Sequence, residues 1–256
     1  MSESLFRATG LIKHFGGLSA TDNLSLDIPE GELHALIGPN GAGKTTAIAQ
    51  FSGELKPDAG KISFDGHDIS RMSAEKRARL GLVRSYQITS IFDDLSVLEN
   101  VMLAVQAQSP THLYFFAPAL KDRSLTEPAA GILTDTGLAA RLHDRASTLS
   151  HGEKRQLEIA MALATKPKML LLDEPMAGMG LEDSRQMIGF IRGLKKQYTI
   201  LLVEHDMQAV FELADRISVL VYGKIIATGK PDEIRADPAV RAAYLGSVSG
   251  KTELQP

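Results

Sequence analysis

The feature that most constrains the fold of this chain is the segment GPNGAGKT, Gly38–Thr45, which follows an apolar run. It fits the pattern G-x-x-x-x-G-K-[ST], which forms a phosphate-binding loop when a strand precedes it. Glycines let backbone N–H groups surround phosphate oxygens, and the following helix adds its positive end. We expect Lys44 to bridge the β- and γ-phosphates of a nucleotide and the Thr45 hydroxyl to bind Mg²⁺. A glycine turn without a ligand is the alternative. The residues predicted to contact the nucleotide here are Gly38, Pro39, Asn40, Gly41, Ala42, Gly43, Lys44, Thr45 and Thr46.

Three nearly continuous apolar runs, each ending in polar residues or glycine, predict buried strands of a parallel sheet. They are Leu33–Gly38, Met169–Glu174 and Thr199–Asp206. Ligands of open α/β sheets bind at the carboxyl ends of the strands, so these three ends should converge on one crevice. Segments around Asp65-Gly66 and around Tyr222-Gly223-Lys224 have the pattern of β-hairpins, so the sheet is expected to be mixed.

Two adjacent carboxylates, Asp173 and Glu174, end the second apolar run, directly before Pro175. A buried strand that delivers two carboxylates into the crevice needs a positive charge opposite them, and Mg²⁺ supplies one. We therefore expect Asp173 in the coordination shell of Mg²⁺, directly or through water. Glu174 is then free to orient and deprotonate the water that attacks the γ-phosphate. The alternative is an exposed pair of carboxylates without a metal.

Composition narrows the classes of function. The 256 residues are 44% hydrophobic, which suffices for one globular unit with a large core, and the net charge of −3 argues against nucleic acid or an anionic membrane as the main partner. The chain has no cysteine, which excludes thiolate chemistry and is compatible with the cytoplasm. No apolar run is long enough to cross a bilayer and the start lacks a signal peptide pattern, so we expect any membrane span to belong to another chain.

Helical spacing replaces the strand pattern in the middle of the chain. Apolar residues recur at this spacing in Ser96–Gln108 and Ala129–Leu142, so we expect a helical lobe inserted at about residues 88–164. Between the two helices, Gln108–Leu120 is apolar and bounded by proline. This segment is either a loop packed on the lobe or a contact surface for a partner.

The end of the chain contains a well-marked helix. Asp237 is its predicted N-cap, Pro238 its first residue and Gly246 lies just past its end. We expect one domain over residues 1–246 and a flexible tail over residues 247–256.

The segment LSHGEKRQLEIA, Leu149–Ala160, opens a second predicted helix with a serine and a glycine. From Ser150 to Glu153 the helix N-terminus would offer unpaired N–H groups and a positive dipole end to an anion, and Gly152 permits close approach of the backbone. The plainer interpretation is an ordinary helix with Ser150 as its N-cap. The sequence thus contains two candidate phosphate sites.

The order of these motifs, with Gln87 between them and His205 after them, resembles that of the ATP-binding subunits of ABC transporters. The resemblance extends from Phe6 to Gly246. It implies an α/β fold of the P-loop NTPase (RecA-like) class with a mixed sheet, an antiparallel β subdomain and an inserted α-helical subdomain. It also implies that two ATPase subunits pair head to tail. The signature segment of one, Ser150–Glu153, then binds the γ-phosphate held by the phosphate loop of the other.

Three further roles are implied by this resemblance. Gln87 matches the glutamine that contacts Mg²⁺ or the attacking water and moves with the membrane partner. His205 matches the histidine that touches the γ-phosphate and positions the water, although a lone histidine is more often structural. Phe15 matches an aromatic residue that stacks on adenine, and core packing is its alternative role.

The sequence departs from the commonest family pattern at two places. The signature reads Ser-His-Gly-Glu instead of Ser-Gly-Gly-Gln, which puts a glycine-specific role at His151 and a glutamine-specific role at Glu153 in doubt. Gly180 stands where many members have an aspartate that links the two sites across the dimer. That coupling is therefore not assumed for this chain.

The segment Glu174–Gly180, the helical insertion and the ending Asp232–Gly246 resemble the ATP-binding subunits that energise uptake of branched-chain amino acids. The resemblance implies an ATPase on the inner face of the cell membrane. Its partners would be a second ATPase chain, two integral-membrane permeases and, indirectly, an external solute-binding protein, and not nucleic acid. Importers of urea, amides or aromatic acids share the pattern.

Three other functions remain as alternatives. The chain could drive an exporter, such as the one that extracts lipopolysaccharide, or it could be a soluble ABC ATPase acting in DNA repair, translation or cluster assembly. It could also be a nucleotide-binding regulator without hydrolysis. Glu174 and His205 argue against the last, because a binding module needs neither a base nor a residue that orients water.

Overall fold

The computed structural model describes residues 4–85, 91–107 and 122–245. Its strands are β1 (Ser4–Phe15), β2 (Leu18–Pro29), β3 (Leu33–Ile37), β4 (Ala59–Phe64), β5 (His67–Asp68), β6 (Leu82–Ser85), β7 (Met169–Asp173), β8 (Thr199–Val203), β9 (Arg216–Val221) and β10 (Lys224–Gly229). Its helices are α1 (Lys44–Ser52), α2 (Ala74–Arg79), α3 (Val97–Ala107), α4 (Arg123–Asp135), α5 (His151–Ala164), α6 (Leu181–Leu194), α7 (Met207–Leu213), α8 (Pro231–Ala236) and α9 (Pro238–Leu245).

The strands form two sheets. An antiparallel sheet has the spatial order β2-β1-β4-β5. A mixed sheet has the order β10-β9-β3-β8-β7-β6, in which β9, β3, β8, β7 and β6 are parallel and β10 is antiparallel to β9. This architecture confirms the predicted α/β fold with a mixed sheet and an antiparallel β subdomain.

The three predicted core strands are β3, β7 and β8, and every residue in them is buried. Each strand ends slightly earlier than the apolar pattern suggested, because Gly38, Glu174 and Glu204 already belong to the loops that follow. The backbone of Glu174 shows the reason, since its φ of 46° cannot continue a strand. Both predicted hairpins are present, with turns at Asp65-Gly66 and at Tyr222-Gly223.

Between β6 and β7, which are neighbours in the sheet, the chain forms α3, α4 and α5 around an apolar core of their own. These helices form the expected inserted subdomain. Helix α4 ends at Asp135 and not at Leu142, because Gly137 adopts a φ of 78° and turns the chain. A short 3₁₀ turn, Ala139–Arg141, follows. The segment Gln108–Leu120 lies outside the described residues.

The last described helix begins as predicted. The Asp237 carboxylate accepts the N–H groups of Ala239 and Val240, so Asp237 is the N-cap of α9. Gly246 and the predicted tail, residues 247–256, lie outside the described residues. Among the described helices, none combines the length and the apolar character required to span a bilayer.

A buried arginine lies at the C-terminal end of α1. The guanidinium of Arg77, which is 1% exposed, donates to the carbonyl oxygens of Gln50 and Phe51, both at 2.7 Å. Burial lowers the pKa of Arg77 to about 10. A cation at this end complements the helix dipole and satisfies carbonyl groups that the helix leaves unpaired. Arg77 therefore fixes α1 at the end that is remote from the phosphate loop.

Candidate functional site

The phosphate loop, residues 38–45, connects β3 to α1 and is held by close backbone packing. A Cβ atom at Gly38 would lie 2.1 Å from the carbonyl oxygen of Leu220. A Cβ atom at Gly43, whose φ is +105°, would lie 2.2 Å from the carbonyl oxygen of Ala20. Both positions therefore require glycine. Gly43 is also the N-cap of α1, and among the described residues no side chain caps this end of the helix.

Lys44 is the first residue of α1 and is buried inside the loop. Its ammonium group donates to the carbonyl oxygens of Gly38 at 2.6 Å and Pro39 at 3.1 Å. Burial lowers the pKa of Lys44, and the charges of Glu174 and Asp173 oppose that shift. The acidic end of β7 therefore acts electrostatically on the loop lysine, as the predicted convergence of strand ends requires.

Asp173, the last residue of β7, is 3% exposed and forms an ion pair with Arg84 of β6. The Arg84 Nη2 group donates to Asp173 Oδ2 at 2.7 Å, and its Nη1 group donates to Glu54 Oε2 at 2.7 Å. Burial raises the pKa of Asp173, while the hydrogen bond and charge of Arg84 act in the opposite direction. Arg84 therefore stabilises the ionised form of a carboxylate that is removed from solvent.

Glu174 adopts a left-handed backbone conformation, with φ 46°, and its N–H donates to Val203 O at 2.8 Å. This bond ties the loop after β7 to the end of β8. The Oε1 atom of Glu174 lies 3.9 Å from Nδ1 of His205, whose side chain is 60% exposed. The predicted base and the predicted histidine are thus neighbours at the carboxyl edge of the sheet.

Glu204 is a residue that the sequence argument missed. It is fully buried, and its carboxylate accepts the backbone N–H groups of Met176, His205 and Asp206. It therefore joins the loops after β7 and β8 that carry Glu174 and His205. The available sequence signal was a carboxylate directly after a wholly apolar strand, because a buried charge needs partners.

The signature segment forms a complete capping box at the start of α5. The Glu153 N–H donates to Ser150 Oγ at 3.2 Å, and the Ser150 N–H donates to Glu153 Oε2 at 2.8 Å. Ser150 is therefore the N-cap of α5, as the plainer interpretation expected, and the N–H groups of Ser150 and Glu153 are paired with side chains instead of being offered to an anion. A hydrogen bond from Arg141 to the Glu153 carboxylate lowers the pKa of Glu153.

His151 packs on the loop after β7. Its Nε2 atom lies 3.2 Å from Ala177 O. A Cβ atom at Gly152 would meet Asp183 at an ordinary 3.6 Å. In the described part of the chain, the contacts of the signature segment involve these neighbours and Arg141, and not the phosphate loop.

The other described residues of the predicted site are Phe15, Thr45 and Thr46. Phe15 is 51% exposed at the end of β1, and Lys13 Nζ lies 5.8 Å from its ring centroid. Thr45 is exposed and Thr46 is half-buried on the first turn of α1. Exposure argues against core packing for Phe15 and leaves its ring accessible to a planar ligand. Gln87 lies outside the described residues.

The oxygen atoms available at this edge of the sheet fit a magnesium ion that is also bound by a nucleotide. Mg²⁺ prefers oxygen ligands and is usually held by one or two protein groups together with phosphate oxygens. The Thr45 hydroxyl and the buried Asp173 carboxylate are donors of this kind, and they lie on the helix and the strand that border the crevice.

Comparisons with known proteins identify the family. The ABC transporter family model matches residues 21–177, and a branched-chain amino acid ATP-binding cassette transporter model matches residues 224–248. LivG of Salmonella typhimurium, a high-affinity branched-chain amino acid transport ATP-binding protein, is 39% identical over 253 residues, with 96% of this chain and 99% of LivG covered. BraF of Pseudomonas aeruginosa, described in the same words, is 36% identical with the same coverage.

A solved structure agrees with this result over the whole fold. The crystal structure of the ADP conformation of MJ1267, an ATP-binding cassette of an ABC transporter, is 31% identical and has a TM-score of 0.85. The match covers 96% of this chain and 100% of that chain. Because the family model spans more than half of the residues and full-length relatives share the complete cassette, the chain belongs to the ABC transporter family, as an ATPase subunit that binds and hydrolyses ATP.

Proposed function

We propose that this ATPase drives an importer for branched-chain amino acids or related small polar solutes. Two observations support the choice of solute. The end of the chain, residues 224–248, matches the model named for branched-chain amino acid transport. LivG and BraF, whose names state that transport, are similar to the chain over nearly its full length.

The observation that carries the proposed mechanism is that the side chains of Glu174 and His205 lie 3.9 Å apart, while the charge of Glu174 acts on the loop lysine. Glu174 acts as the general base that takes a proton from the attacking water. His205 orients that water and contacts the γ-phosphate. Lys44 binds the β- and γ-phosphates and stabilises the charge that develops during transfer.

Thr45, Asp173 and Gln87 are the proposed protein ligands of Mg²⁺, which when bound neutralises charge on the β- and γ-phosphate oxygens. Backbone N–H groups of the phosphate loop, residues 38–45, and of Thr46 hold the phosphates. Phe15 stacks on the adenine ring. Of these residues, the phosphate loop follows β3 of the mixed sheet and Asp173 ends its neighbour-but-one β7, whereas Phe15 ends β1 of the antiparallel sheet.

The signature segment acts on a second ATPase subunit. Its described contacts are with Arg141, Ala177 and Asp183 and not with the phosphate loop, which supports a role for Ser150, Gly152 and Glu153 on the γ-phosphate of another chain that faces this one head to tail. The partner is either a second copy or a different ATPase chain. The subunit pair lies on the inner face of the membrane, bound to two permeases that receive solute from an external binding protein.

We also propose the domain limits. Residues 1–246 form one ABC ATPase domain, with the helical lobe at about residues 88–164, and residues 247–256 form a tail. The separate apolar core of α3, α4 and α5 supports the lobe as a unit.

Transport by the complete complex tests the proposed solute. The chain is co-expressed with its permease partners, reconstituted into proteoliposomes with ATP inside, and supplied with binding protein and labelled leucine outside. We expect ATP-dependent leucine uptake by the wild type and none by Glu174→Gln. Uptake of urea or an aromatic acid without leucine would replace the proposed solute, and ATP-dependent release of lipid would show an exporter.

A further inference from the structure

Arg84 bridges two carboxylates, one at the end of β7 and the other just after the end of α1. Its guanidinium side chain is 8% exposed and donates to Asp173 Oδ2 and Glu54 Oε2, each at 2.7 Å. The Asp173 side chain is 3% exposed and that of Glu54 is 34% exposed. The bridge thus extends from a buried end at β7 to a partly solvated end beside α1.

The position of Glu54 gives the bridge its significance. Glu54 directly follows Gly53, the C-cap of α1, and the Ser52 hydroxyl donates to its Oε1 atom at 3.1 Å. Helix α1 carries Thr45 on its first turn, and β7 ends at Asp173. Arg84 therefore connects the end of β7 with the segment that directly follows α1. Its planar fork suits this task, because it binds two carboxylates in one fixed geometry.

We propose that Arg84 is a positioning residue for the divalent metal: it holds Asp173 by Oδ2 and ties the end of β7 to the segment that follows α1, so that the Asp173 carboxylate keeps one fixed orientation. This inference rests on the magnesium site of the proposed function. Arg84 acts through Asp173 and does not itself contact the nucleotide.

Metal affinity is the measurement that separates this role from general support of the fold. Mn²⁺ replaces Mg²⁺ as the probe, and its binding to the full chain in the presence of ADP is followed by electron paramagnetic resonance. Groups that orient a metal ligand usually contribute 10–100-fold to metal affinity. We therefore expect Arg84→Met to weaken Mn²⁺ binding about tenfold or more. Binding of fluorescent ADP in EDTA should not change.

Two further variants keep the test decisive if Arg84→Met does not fold, because removal of one partner of a buried ion pair is strongly destabilising. Arg84→Lys keeps the positive charge but lacks the planar guanidinium that binds two carboxylates at once. Its Mn²⁺ affinity should therefore lie between those of Arg84→Met and the wild type. Glu54→Gln removes the solvated end of the bridge and should cause a smaller loss. Arg79→Met is the matched control, since Arg79 forms only an exposed pair with Glu75 in the described structure.

The outcomes distinguish the two levels of the proposal. If the wild type binds Mn²⁺ with ADP and all Arg84 and Glu54 variants bind it as tightly as Arg79→Met, the positioning role is wrong while the proposed metal site stands. Tighter binding by Arg84→Met would show that the arginine competes with the metal, which also overturns the role. If the wild type binds ADP but no Mn²⁺, the metal site of the proposed function fails together with this inference.

Discussion

The two helix N-termini that are assigned to phosphate differ in how their backbone groups are satisfied. Helix α1 begins after Gly43, and in the described structure no side chain caps it. Helix α5 begins with Ser150 and Glu153, whose side chains cap each other's backbone N–H groups. Both ends carry a positive partial charge. The start of α1 leaves its backbone N–H groups to a ligand, whereas two N–H groups at the start of α5 are satisfied by side chains of the same chain.

This difference indicates how the site is assembled. An uncapped N-terminus is an anion site in its own right, because its N–H groups and dipole have no competing partner. A capped N-terminus is stable without an anion and has fewer donors to offer. We therefore expect the phosphate loop to bind nucleotide in the isolated subunit, and the signature segment to act only when a second subunit brings a phosphate to it.

The sharpest test of this comparison is Glu174→Gln. Loss of a general base should lower turnover by about 10²–10⁴-fold, while the phosphate contacts remain. The bound ATP should then hold two subunits together, because the α1 N-terminus of one subunit and the α5 N-terminus of the other contact the same nucleotide. Light scattering with and without Mg-ATP measures the change of mass. A variant that hydrolyses ATP at the wild-type rate would show that Glu174 is not the base.

Lys44→Ala should affect nucleotide binding by the single subunit. A charge-assisted hydrogen bond contributes about 1.5–3 kcal/mol, so affinity for ATP should fall about 10–100-fold. Lys154→Ala is the control on the other helix, because Lys154 lies in the first turn of α5 and pairs with Asp93. Its ATP affinity should equal that of the wild type. Equal losses in both variants would contradict the difference between the two ends.

Two glycine substitutions distinguish the N-terminus of α1 from that of α5 further. Gly43→Ala should destabilise the fold by at least about 1–2 kcal/mol, because alanine is strained at this φ and its Cβ would collide with Ala20 O. Gly152→Ala meets no such contact and lies in a helix, so stability should stay equal or rise by about 0.5 kcal/mol. Its ATP-dependent dimer should nevertheless weaken. Urea denaturation and light scattering provide the two measurements.

The smallest expected effect is at the cap of α5. Ser150→Ala should lower the free energy of unfolding by about 1 kcal/mol. Since the pKa of Glu153 is held below its ordinary 4.5, Glu153 stabilises the fold above about pH 4.5, and this contribution is lost as the pH falls through the lower, folded-state pKa. Glu153→Gln should therefore flatten the acid side of the stability profile. Stability measured by denaturation at pH 3 to 7 would show this, and an unchanged profile would assign the acid dependence to other carboxylates.

Local patterns were sufficient to predict the elements that form the crevice. Three apolar runs predicted β3, β7 and β8, turn residues predicted both hairpins, and the Asp237-Pro238 pair predicted the start of α9. Their lengths were less certain, because a run of apolar residues does not show where the backbone leaves the sheet. Glu174 remained within the predicted strand for this reason, although its own conformation ends the pairing.

Contacts between distant residues could not be predicted in the same way. Arg84 is a single charged residue between uncharged neighbours in the sequence, and its partners, Glu54 and Asp173, lie 30 and 89 residues away along the chain. Arg77 likewise lies in a charged helix of ordinary appearance and is nevertheless buried. A buried charge is defined by what surrounds it, and one sequence does not supply that information. The roles of the site residues themselves stay predictions until the variants above are measured.

The left-handed backbone of Glu174 has a consequence for engineering this protein. A glutamate in this conformation carries strain on the order of 1–3 kcal/mol, whereas glycine or asparagine adopts it more easily. A selection for heat resistance alone would therefore favour replacement of Glu174, and under the proposed mechanism the proteins it returns would lack the general base. Libraries designed for thermostable variants of this motor should keep position 174 fixed and seek their gains elsewhere in the fold.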